Sequence, residues 1–65
     1  MATYRVTIRY GGSGKRYELL DIEAPDLREA LRRAAEQVPE EAASTADLVE
    51  VRLLAEPEGR EYTPG

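Results

Sequence analysis

Sixty-five residues without cysteine or histidine exclude a disulfide framework and any thiolate or imidazole metal site. Thirteen acidic against nine basic side chains leave a formal net charge of −4, which argues against a duplex-binding module held by phosphate neutralisation. A domain of this length buries only about 60% of the surface its unfolded chain exposes, so an idealised helix-on-sheet core or a partner subunit must compensate.

In chain order, Tyr4, Val6, Ile8 and Tyr10 alternate with Thr3, Arg5, Thr7 and Arg9. This period of two predicts a half-buried strand. Gly11-Gly12-Ser13-Gly14 follows and supplies the backbone freedom of a hairpin loop. A second strand is expected from about Lys15 to Ala24. Leu20, Ile22 and Ala24 point to one face, whereas Tyr17 and Leu19 point to the other. Either both faces carry apolar groups, or a bulge near Leu19-Leu20 turns Tyr17 inward. Pairing Tyr4, Val6 and Ile8 with Ile22, Leu20 and Glu18 sets Arg5 opposite Asp21, Arg9 opposite Tyr17 and Thr3 opposite Glu23.

Pro25 ends this strand and Asp26 opens a helix, with Glu29 at capping-box spacing. Leu27, Ala30, Leu31, Ala34, Ala35 and Val38 form its apolar stripe. Glu29 precedes Arg33 by four residues, the favourable order for an ion pair. Pro39 stops the helix at Val38, and Pro39 to Ala43 can restart one short turn. Ser44 to Asp47 reads as loop. Val49, Val51, Leu53 and Ala55 alternate with Leu48, Glu50, Arg52 and Leu54 as a third strand. Glu56-Pro57-Glu58-Gly59 is a turn, and Arg60 to Thr63 a short fourth strand. Residues 1–65 are thus expected to form a single α+β domain of ββαββ order. The predicted antiparallel sheet has order 2-1-3-4, with one amphipathic helix on one face. A β-grasp arrangement with a parallel central pair is the alternative.

Chemistry-bearing constellations are few. Gly11 to Lys15 is not a phosphate loop: Arg9 stands five residues before Gly14, Arg16 follows Lys15, and a strand comes next instead of a helix. Asp21 and Glu23 share a strand face, where cross-strand pairing accounts for them better than acid–base work. Ser13, Ser44 and the threonines have no histidine to activate them. No catalytic, cofactor-binding or metal residues are expected, and the chain reads as non-enzymatic. Met1 to Arg5 has no signal-peptide layout, and the longest apolar run is Leu53-Leu54-Ala55. A cytoplasmic protein with no membrane span is the expectation.

Two surfaces are candidates for binding. Leu19, Leu48 and Leu54, with Tyr17, fall on the sheet face opposite the helix and suggest a contact surface for a second copy or a protein partner. The alternative is a nucleic-acid face carrying Arg5, Arg9 and Arg52, with Tyr17 as a stacking platform. Asp21, Glu23 and Glu50 share that face and oppose the second reading. Eight of the nine basic residues are arginine, which fits either ion-pair networks or a GC-rich genome.

The run Ala-Pro-Asp-Leu-Arg-Glu-Ala-Leu-Arg-Arg-Ala over residues 24–34 resembles the helix of small antitoxin-type domains. That resemblance covers about a dozen residues and implies a small regulator. The ββαββ order also resembles ubiquitin-like sulfur carriers. Their activity needs a terminal Gly-Gly, where this chain has Pro64-Gly65. The reading that follows is a non-enzymatic interaction module, self-associating through its open sheet face or edge.

Overall fold

The computed structural model describes residues 1–54. Strand β1 (Ala2–Tyr10) and strand β2 (Arg16–Ala24) form a hairpin, followed by helix α1 (Leu27–Gln37), helix α2 (Glu40–Thr45) and strand β3 (Leu48–Leu53). The sheet has order β2-β1-β3, and both pairings are antiparallel. The architecture is therefore mixed α+β. Because β1 and β3 run antiparallel, the parallel central pair of a β-grasp arrangement is not formed among the described residues. The expected turn at 56–59 and the fourth strand at 60–63 lie outside them.

The hairpin follows the expected register residue by residue. Tyr4 faces Ile22, Arg5 faces Asp21 and Arg9 faces Tyr17. Pairing runs unbroken from Ala2↔Ala24 to Tyr10↔Arg16, so β2 has no bulge and carries apolar groups on both faces. The loop depends on backbone that favours glycine: Gly11 has φ +93° and Gly12 φ +58°. The Gly14 N–H closes the turn onto the Gly11 carbonyl at 2.9 Å.

Asp26 caps α1 by accepting the Glu29 N–H at 2.9 Å. The Glu29 carboxylate accepts instead from Arg32 and Arg33. At the other end Val38 adopts ψ 124°, the extended geometry that a following proline requires. The expectation of a single packed helix is corrected by α2. Pro39, with φ −64°, precedes its first turn, where Glu40 and Glu41 suit the positive helix end. Ser44 and Thr45, expected in a loop, instead lie in the last turn of α2, their hydroxyls donating back to the Glu41 carbonyl at 3.3 and 3.0 Å. Ala42 is fully buried and anchors α2 over β1.

The core comprises Val6, Ile8 and Ile22 with the alanines Ala24, Ala30, Ala34 and Ala42. Tyr4, Tyr10, Leu20, Val38 and Val51 pack around it. Only Ala30 and Ala34 of the α1 stripe are buried. Their small side chains let α1 settle over β2, its main contact. Leu31, expected inside, is instead 46% exposed, and Leu27 is similarly open. Above β3 the helix layer is thin, leaving Val49 and Leu53 58% and 55% exposed on the side the helices occupy.

Candidate interaction surface

The face opposite the helices is built by the odd residues of β1 and β2 and the even residues of β3. In rows, Leu19, Thr7 and Glu50 lie side by side, as do Tyr17, Arg9 and Leu48, and Asp21, Arg5 and Arg52. Tyr17, Leu19 and Leu48 are all exposed there. They do not form one patch. Tyr17 and Leu19 neighbour each other on β2, whereas Leu48 lies two strands away beyond Arg9. Leu54 follows β3 and its N–H reaches the Thr3 carbonyl at 2.8 Å, at the other end of the strand from Leu48.

The three arginines of the alternative reading share this face, and each meets a carboxylate. Arg5 grips Asp21 through Nε and Nη2 at 2.8 and 3.1 Å. Arg9 grips Asp47 through Nε at 2.9 Å and Nη2 at 3.4 Å. Arg52 stands 3.6 Å from Glu50 on its own strand. With Glu23 also on this face, opposite Thr3, three guanidinium groups share it with four carboxylates, and the surface is not a basic patch. The hydrogen bonds and charge of Arg5 and Arg9 hold the carboxyls of Asp21 and Asp47 below their ordinary range. Asp47 was not foreseeable as the partner of Arg9, because only the α2 path brings it there.

On the helix side, Tyr4, Val6 and Ile8 of β1 face Leu53, Val51 and Val49 of β3. Val49 and Leu53 extend the apolar floor from the buried core to the sheet edge. Nothing among the described residues pairs with the far edge of β3. No group of three or more His, Cys, Asp or Glu among the described residues is placed to hold a metal ion. No helix among them is long and apolar enough to cross a membrane.

The polar face of α1 carries the most strongly perturbed group. Glu29 accepts from Arg32 and from Arg33, which together hold its carboxyl at about 2. Arg33 also donates from Nη1 to the Glu23 carbonyl at 2.6 Å, tying α1 to the end of β2. A carboxyl with a depressed folded-state pKa contributes stability above its unfolded value, and that contribution disappears as pH falls through the folded value. The melting temperature is therefore expected to fall between about pH 4.5 and pH 2. Glu29→Gln should flatten that slope in melts followed by circular dichroism. An unchanged acid profile in the variant would show that the pairing adds nothing.

Comparison with known protein families, curated proteins and solved structures finds no match.

Proposed function

We propose that this domain is a non-enzymatic interaction module that associates with a second copy of itself. One observation carries the reading. Among the described residues, Met1, Tyr17, Leu19, Leu27, Leu31, Leu48, Val49 and Leu53 are exposed large hydrophobics, while the buried large ones are Val6, Ile8 and Ile22. So lopsided a distribution in a chain this short favours completing the core against another surface. The absence of histidine and cysteine supports a non-enzymatic role. So does the pairing of Asp21, Asp47 and Glu29 with arginines.

Light-scattering mass of the full chain at micromolar concentration tests the proposal. Twice the 7.3 kDa chain mass is expected, and a constant single-chain mass would overturn it. Titration with mixed oligonucleotides tests the Arg5, Arg9 and Arg52 alternative. Binding that weakens steeply with salt would replace self-association as the reading.

A further inference from the structure

The edge of β3 that no described residue pairs with has a sequence that complements itself. The Leu54 N–H bonds to Thr3 O and the Asp47 N–H to Arg9 O, so odd residues of β1 direct their carbonyls toward β3. Alternation in an antiparallel ladder then points the N–H and C=O of Glu50 and Arg52 toward β1. Those of Val49, Val51 and Leu53 point outward. The run Leu48-Val49-Glu50-Val51-Arg52-Leu53-Leu54 reads alike in character from both ends about Val51, with opposite charges at Glu50 and Arg52. An antiparallel copy centred on Val51 sets Val51 against Val51, Val49 against Leu53, Glu50 against Arg52 and Leu48 against Leu54.

We propose that two copies of this chain join through their β3 edges in this register, giving a continuous sheet β2-β1-β3-β3-β1-β2. The inference rests on the self-association reading and specifies its geometry. Charge supports it. Within one chain Arg52 lies directly across from Arg5, a like-charge neighbour already engaged by Asp21. A second copy places Glu50 on its other side. The apolar side chains agree, because Val49, Val51 and Leu53 of both copies then form one continuous strip on the helix side. Neither helix obstructs the approach, since α1 lies chiefly over β2 and α2 over β1.

The test uses the full chain and measures its dimerisation constant by sedimentation. Val49→Pro removes an outward N–H while sparing the ladder to β1, an edge-strand setting that tolerates proline. It should give a monomer with an unchanged circular-dichroism spectrum. Glu50→Arg and Arg52→Glu should each weaken the dimer about tenfold, and the double exchange should restore it, since opposite charges again face each other. A dimer whose constant ignores all these changes would overturn β3 pairing and leave self-association standing. A monomer at every concentration would overturn both. Val49, Val51 and Leu53 amides that exchange freely in such a monomer would show the edge open to solvent, with no second copy on it.

Discussion

Replacing Ile22 by alanine is expected to lower stability by about 2–5 kcal/mol, enough to unfold a large share of the protein at 37 °C. Ile22 is 2% exposed toward the C-terminal end of β2, opposite Tyr4 and in the core that α1 covers. Few neighbours can move to fill the space it leaves, because the surrounding buried residues are mostly alanines. A domain of this size holds only about 0.05–0.15 kcal/mol per residue, so the loss approaches the whole stability. Urea titration followed by circular dichroism measures it. A midpoint within error of the parent would show that the helix–sheet layer is not the stabilising core.

The second large effect runs in the opposite steric direction. Ala30→Leu should destabilise by about 1–3 kcal/mol, although leucine is a good helix former and more apolar than alanine. Ala30 is fully buried where α1 meets the sheet, and Ala34 lies one turn further on at 4% exposure. Extra carbons there push the helix off β2 and strain the Arg33 bond to the Glu23 carbonyl. A shift of about 4–8 °C in melting temperature accompanies each kcal/mol in a domain of 60–100 residues, so the melt resolves the change. A raised melting temperature would mean a cavity beneath α1. Ala35→Leu, on an exposed neighbouring position, is the control that isolates packing from helix propensity.

Which parts of this fold were legible in the sequence follows from what local pattern encodes. Strict alternation from Tyr4 to Tyr10 and a glycine loop of fixed length together pin the hairpin register, so the Arg5–Asp21 pair was readable from the chain alone. The Asp26 cap and the Pro39 stop were equally local. Periodicity also identified the apolar stripe of α1, but it does not say where along the sheet the helix comes to rest. That position depends on Ala30 and Ala34 nesting over β2, and it is what leaves Leu27, Leu31, Val49 and Leu53 open. Alternation likewise put Tyr17, Leu19, Leu48 and Leu54 on one face. The intervention of Arg9 between Tyr17 and Leu48 needed the pairing of all three strands. The symmetry of residues 48–54 was visible in the letters, yet it acquires meaning only because β3 borders the sheet among the described residues.

The long excursion through two helices between β2 and β3 also sets an order of assembly. β1 meets β2 across a loop of a few residues, whereas Arg9 reaches Leu48 only after the intervening chain has been gathered in. Closing the larger loop carries the greater entropic penalty and comes late on the route to the native state. On this ordering the hairpin is expected to form before β1 gains its β3 neighbour. A strand segment of another molecule would then compete for the vacant position, and exchange of β3 between chains is the misassembly expected of this connectivity.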